Sequence, residues 1–349
     1  MEHKLLKAIL SNSKIEEKGL FSGEAGVCLA LCMLKSNFHL PLSNEYIDKR
    51  ISDIVKSLDD VRALSFDKGL TGIGWTISML YDKGFISGDI DNILFNSDAA
   101  LYRELNGSEG AHHTLSCSNG LLGYLIYIMS RLKDSQDRKD SYLTNLNEKS
   151  FRLLIDGLYA LVPSAFPLLS KDVYISILWE YPIFFVLMRK AMELGIYSRK
   201  IVKLIDLVKF YLRSSIPYYN INKLSLSVSI TYLNEILMDE ELNFYKNGLM
   251  GSIDFQQIEN EIDNRIININ EGWFLCLFIH SCAIMLMKKS CPQYEKIVLT
   301  RNWLLENFGS QFQTFLFEKP AHDVTLINGI SGISLLYSIY PKVFNISYK

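Results

Sequence analysis

Polar and ionisable side chains recur beside short glycine motifs, where apolar helical segments are predicted to begin. Carboxylates at such positions can act as general bases, and amides, imidazoles and carboxylates can bind a polar substrate. The same residue types also favour helix starts, as N-caps or as charges that complement the helix dipole, so a structural role stays open for each. The catalytic candidates are Glu180, Tyr181, Glu271 and Asn119, and the substrate-binding candidates are Glu24, Asp67, Asn270, His322, Asp323 and Asn328.

Glu180 is the most unusual of these candidates, because it interrupts an otherwise apolar segment that reads ISILW before it and YPIFFVLM after it. Burying a carboxylate without a partner costs several kcal/mol. Two arrangements avoid that cost. Either a cation such as Lys68 or Lys246 lies across from Glu180, or the carboxylate faces a solvent-filled pocket in which it can act as a general base.

A metal site is the weaker alternative. Cys276 and His280 are four residues apart, so they share one face of a predicted helix. Cys117, His112, His113 or His322 would have to complete a tetrahedral site. The competing interpretation is a buried cysteine beside a hydrogen-bonded core histidine. No CxxC pair occurs among the six cysteines, which we expect to be free, buried thiols.

The glycine motifs form a long-period repeat. Gly-x-x-Gly pairs occur at Gly23/Gly26, Gly69/Gly72, Gly120/Gly123 and Gly329/Gly332, each followed at once by an apolar helical pattern. The first three pairs are about 50 residues apart, and the gap before the last equals four such steps. This period predicts further apolar helices in between, and seven in all, starting near residues 23, 69, 120, 177, 223, 272 and 329.

Amphipathic segments alternate with the apolar ones, and residues 4–15 form a preceding helix. Apolar helices must be buried on all sides and amphipathic helices on one side only. Both conditions are met by an all-α fold, an α/α toroid of about seven helical hairpins, formed as one domain over residues 1–349. The only hint of a strand is the alternating run LSLSVSIT at residues 224–231.

Composition narrows the functional classes. The 349 residues are 49% hydrophobic and carry a net charge of −2, so we expect no nucleic-acid partner. The longest apolar stretch, residues 273–287, is shorter than the roughly 20 residues that span a bilayer, so we also expect no membrane span. The N-terminal residues show no signal-peptide pattern, which predicts a cytoplasmic protein.

The segments GLFSGEAGV, GLTGIGW, NGLLGY and DVTLINGISGISLLYSIY together resemble the lanthionine synthetase C-like family, the lanthipeptide cyclases. The resemblance implies a toroid whose mouth binds a peptide. It also implies a zinc ion that activates a cysteine thiol for addition to dehydroalanine or dehydrobutyrine. The family's zinc ligands come from Trp-Cys-x-Gly and Cys-His-Gly motifs, and a His-Gly motif supplies an acid/base candidate.

Those three motifs are absent from this chain, which has no Cys-His or His-Gly dipeptide. Trp179-Glu180 is similar to the first motif, with glutamate in place of cysteine. The second would fall at Asn270-Glu271-Gly272 or at Lys246-Asn247-Gly248, depending on the register, and neither offers a thiolate or imidazole. We therefore expect no cofactor, and zinc only if another ligand set exists.

The expected function is binding or modification of a peptide in the toroid mouth, as a degenerate cyclase or a maturation partner. The expected partners are a precursor peptide or a peptide-maturation enzyme. One alternative is a toroid glycoside hydrolase or lyase that uses a carboxylate pair, with Glu180 and Glu271 beside Tyr181, Trp273 and Trp75. A second is an interaction scaffold without chemistry.

Overall fold

The computed structural model describes residues 2–11, 15–38, 40–107, 113–134, 142–169, 178–213 and 216–265, and the single positions 299, 302, 326, 329, 331, 332, 334 and 335. These residues contain twelve helices and no strand. In chain order the helices are α1 Glu2–Ser11, α2 Glu24–Phe38, α3 Asn44–Ser57, α4 Leu70–Asp82, α5 Ile90–Gly107, α6 Leu121–Asp134, α7 Tyr142–Leu169, α8 Glu180–Glu193, α9 Ser198–Leu212, α10 Asn220–Leu237, α11 Glu240–Gly251 and α12 Phe255–Arg265.

Five apolar helices, α2, α4, α6, α8 and α10, form a row in which each contacts the next. Each also contacts the helix that follows it in the chain, which gives a series of hairpins. In α2 every residue from 24 to 34 is buried, whereas α3 buries only the face of Ile47, Arg50, Ile51, Ile54 and Ser57. The predicted alternation of apolar and amphipathic helices is thus present in the described residues.

The apolar helix predicted from near residue 223 is confirmed as α10, and the alternating run at residues 224–231 lies inside it rather than in a strand. The alternating hydroxyls make their hydrogen bonds within the helix. Ser227 Oγ donates to the Lys223 carbonyl oxygen at 2.7 Å, Ser229 Oγ to that of Leu226 at 2.9 Å, and Thr231 Oγ1 to that of Ser227 at 2.7 Å. Because these hydroxyl groups are hydrogen-bonded within the helix, the helix can also bury its serine and threonine side chains.

Two expectations need correction. The Lys246-Asn247-Gly248 register is wrong as the start of a repeat, because all three residues lie within α11. Glu180 does not interrupt an apolar helix but is the first residue of α8, after the extended N-cap Trp179. The reason is Pro182, since proline is tolerated in the first turn of a helix but not in its interior.

A buried ionic network joins α5, α6 and α7. Asp98 and Arg131 are almost fully buried, and Arg131 Nε donates to Asp98 Oδ2 at 3.1 Å. Asp98 also accepts hydrogen bonds from Tyr127 Oη and from Asn147 Nδ2, and Arg131 pairs with Asp91 at 2.7 Å. Burial raises the pKa of Asp98, and the charge of Arg131 opposes that rise. The network fixes how these three helices pack.

None of the described helices combines the length and the apolar character that crossing a lipid bilayer requires.

Replacing Asp98 by Ala should lower the free energy of unfolding by about 3–5 kcal/mol, because it leaves the Arg131 guanidinium buried without its main counter-charge. The matched control is Asp82→Ala, which removes the exposed ion pair of Asp82 with Lys133. That control should cost at most about 1 kcal/mol. Urea unfolding measures both values, and similar losses for the two variants would contradict the role given to the network.

Candidate functional site

The candidate site is built on the loops that lead into α2, α4 and α6, here called the leader loops, residues 17–23, 63–69 and 114–120. In each loop a carbonyl seven residues earlier accepts the hydrogen bond of the helix's first N–H. Glu24 N donates to Glu17 O at 2.9 Å, Leu70 N to Ala63 O at 2.8 Å, and Leu121 N to Thr114 O at 2.9 Å. The first N–H group of each helix is therefore hydrogen-bonded to its own leader loop. These N–H groups are not available to bind a ligand.

Neighbouring leader loops are joined by backbone hydrogen bonds. Asp67 N donates to Ser118 O at 3.0 Å, and Phe21 N donates to Asp67 O at 2.9 Å. Near the other end of the chain, Leu326 N donates to Phe21 O at 2.9 Å. Leu326 lies three residues before the last Gly-x-x-Gly pair, as Phe66 does before its own pair, and Phe66 N likewise donates to Ser118 O of the next loop at 2.7 Å.

The second glycine of each motif makes this approach possible. A Cβ atom at Gly123 would lie 2.7 Å from Phe66 Cβ, and one at Gly72 would lie 3.1 Å from Leu20 Cβ. At Gly26 it would lie 2.9 Å from Leu326 Cβ. For Gly72 and Gly123 the contacting side chain belongs to the preceding repeat. For Gly26, in the first repeat, it belongs to the last repeat of the chain. The glycines are required by close packing.

Glu24 is held in a structural ion pair. Its carboxylate accepts a hydrogen bond from Arg50 of α3, and Tyr46 Oη in turn accepts one from Arg50 Nε at 2.7 Å. Burial raises the pKa of Glu24, and the positive charge of Arg50 opposes that rise. The pair joins the start of α2 to the next helix, and it commits the carboxylate to the protein interior.

Asp67 and Asn119 lie on adjacent leader loops. Asp67 is half-buried and its backbone bonds both neighbouring loops, whereas the Asn119 side chain is exposed. Lys68, next to Asp67, lies 3.6 Å from Glu17, and both of these side chains are exposed. Asp67 and Asn119 are therefore the predicted site residues best placed to meet a ligand at this end of the helices.

Glu180 lies close to Cys117 of the neighbouring leader loop. Its Oε2 atom is shielded from solvent at the start of α8, where the helix dipole favours a negative charge. Burial, and to a lesser degree the charge of Glu180, raises the pKa of the Cys117 thiol to about 12. The thiol is therefore protonated at neutral pH and is not a thiolate nucleophile.

Tyr181 has a packing role. It is buried, its Oη donates to the carbonyl oxygen of Phe166 at 2.9 Å, and its ring meets that of Phe166 edge-on at 4.7 Å. These contacts fasten the start of α8 to the last turns of α7. Lys246, named as a partner for Glu180, donates to Asn243 at 2.7 Å.

A further carboxylate was missed by sequence reasoning. Glu261 of α12 accepts hydrogen bonds at the start of α10, from Asn220 N at 2.9 Å, Asn220 Nδ2 at 2.7 Å and Ile221 N at 3.1 Å. It caps α10, an apolar helix that, like α8, begins without a preceding glycine pair and without a side-chain hydrogen bond from its own N-cap residue. No local sequence signal links residues 41 positions apart.

The remaining candidates, Asn270, Glu271, Cys276, His280, His322, Asp323 and Asn328, lie outside the described residues. Within the part of the chain that the structure describes, no three His, Cys, Asp or Glu side chains are grouped as metal ligands would be. The expectation about zinc stays a prediction.

Comparison with known proteins gave no relative: no protein-family model matches the chain, and no curated protein matches it either.

Replacing Glu180 by Gln should increase the rate at which iodoacetamide alkylates Cys117 a few-fold at mildly alkaline pH. Removing the negative charge lowers the thiol pKa, so the thiolate fraction rises. Peptide mapping by mass spectrometry distinguishes Cys117 from the other cysteines. Glu193→Gln, at the opposite end of α8, is the control and should leave the rate unchanged. Equal rates in both variants would show that Cys117 does not sense the Glu180 charge.

Proposed function

We propose that the chain forms an α/α toroid of the lanthionine synthetase C-like type and binds a peptide at the leader-loop end, without the zinc chemistry of the cyclases. The observation that carries the proposal is the cyclic register of the leader loops. The contacts from Leu326 to Phe21 and Gly26 repeat those between consecutive loops, as a closed ring requires.

Peptide binding fits the polar groups that this end offers. Asp67 can accept hydrogen bonds from peptide N–H groups, and the Asn119 amide can both donate and accept. The first N–H group of each of these helices is bonded within its own loop, so we assign the polar recognition to these side chains. The Cys117 thiol, with its pKa of about 12, is unsuited to covalent catalysis. The sequence also lacks the motifs that hold the cyclases' zinc, so the proposed role is binding rather than thioether formation.

The proposal is tested with a fluorescein-labelled synthetic peptide that carries one cysteine and one dehydrobutyrine. We expect saturable binding by fluorescence anisotropy, weakened about 2- to 10-fold each by Asp67→Asn and Asn119→Ala, since one hydrogen bond contributes about 0.5–1.5 kcal/mol. Asp48→Asn, exposed near the start of α3, is the control and should bind as the native protein does. Absence of binding, or equal losses in all three variants, would contradict the proposal.

The chemical part is tested in the same mixture. The peptide's cysteine should remain open to N-ethylmaleimide, with or without added zinc, and metal analysis of the purified protein should find well below one zinc per chain. Loss of the free thiol with no change in peptide mass would show cyclisation, and it would overturn the non-catalytic assignment while leaving the binding assignment in place.

A further inference from the structure

A groove of about 390 Å³ lies away from the leader loops, between the last turn of α9 and one face of α11. The lining positions on α11 are spaced as one helix face over three turns, from Glu241 to Ser252. The large apolar side chains in the lining are Leu212, Ile216, Leu242, Phe244, Tyr245 and Leu249. Phe244 is 82% exposed and Ile216 is 68% exposed, which is unusual for side chains of this size.

Each charged residue that lines the groove is held in an ion pair. Lys209 pairs with Asp239 at 2.6 Å and with Asp206 at 2.7 Å, and Arg213 pairs with Glu241. These pairs include all three charged residues of the lining, Lys209, Arg213 and Glu241. The lining therefore offers no unpaired charge to a ligand, and a charged ligand would lose its hydration without gaining a free counter-ion there.

Gly248 lines the groove and places no side chain in it. It lies inside α11, where glycine costs about 0.5–1 kcal/mol relative to alanine. A Cβ atom at Gly248 would meet nothing within 4 Å, in contrast to the leader-loop glycines, so packing does not require the glycine. The groove is the space that a side chain at this position would enter.

The size of the groove indicates the class of ligand. Its lining comprises 11 residues, about half of the 20–30 residues per side in a stable protein interface. Its volume lies within the range of about 300–1,000 Å³ that is typical of small-molecule sites. A second copy of the chain or another folded protein is therefore poorly matched to it.

We propose that the groove between α9 and α11 binds a small, uncharged, largely apolar molecule. The apolar lining supplies the hydrophobic contact, and the internal ion pairs Lys209–Asp239 and Arg213–Glu241 exclude charged ligands. This site is separate from the leader-loop surface and does not depend on the proposed peptide binding.

The test uses N-phenyl-1-naphthylamine, an uncharged apolar probe whose fluorescence rises in an apolar environment. The native protein should show saturable binding to a single site. Gly248→Leu should weaken binding at least about tenfold, because the isobutyl group occupies the groove, and Gly248→Ala should weaken it less. Gly251→Leu is the matched control on the same helix, since Gly251 is equally open but does not line the groove, and it should bind as the native protein does.

Binding that is absent from the native protein, or equal in Gly248→Leu and Gly251→Leu, would overturn the proposal. A native protein that dimerises in sedimentation velocity, and becomes monomeric with Gly248→Leu, would also overturn it by identifying the groove as an interface between copies. If the Gly248→Leu variant is poorly folded, the smaller loss of probe binding expected for Gly248→Ala tests the proposal instead. Failure of the labelled peptide to bind would leave these outcomes unaffected.

Discussion

The close approach of each leader loop to the next is the contact on which the other features depend. Gly72 and Gly123 lie against side chains of the preceding repeat, so the apolar helices start at one level and pack in a row. The loops use backbone groups to satisfy both the helix termini and one another. Because Gly26 and Leu326 repeat the same contact across the two ends of the chain, the row is proposed to close into a ring.

This arrangement leaves few free polar groups at the leader-loop end. Glu24 pairs with Arg50, and Glu180 lies beside the protonated thiol of Cys117. Side chains that sequence analysis treated as equivalent thus divide into those committed to the interior and those available to a ligand. Asp67 and Asn119 belong to the second group, which is why the proposed function is binding by hydrogen bonds rather than catalysis.

Helix starts were predictable where glycine spacing is the signal. The predicted starts near residues 69, 120 and 223 compare with Leu70, Leu121 and Asn220 in the structure. Local sequence patterns did not predict features that depend on contacts with other residues of the fold. The alternating run at residues 224–231 was only a hint of a strand within a predicted helix, and its serine hydroxyls donate to carbonyl oxygens of α10. Pro182 places the start of α8 at Glu180, within a segment whose sequence is otherwise apolar. The partners Arg50 of Glu24 and Cys117 of Glu180 are distant in sequence, so no local pattern indicates them.

The distance between the two chain ends tests the proposed closure most directly. Nitroxides attached through p-acetylphenylalanine at Glu16 and Asn328 would avoid the native cysteines, and pulsed dipolar spectroscopy would measure their separation. A closed ring predicts a single distance below about 30 Å. An open row of seven apolar helices, each about 8–10 Å from the next, predicts about 50–60 Å. The longer distance would contradict the ring and the peptide site proposed at its mouth.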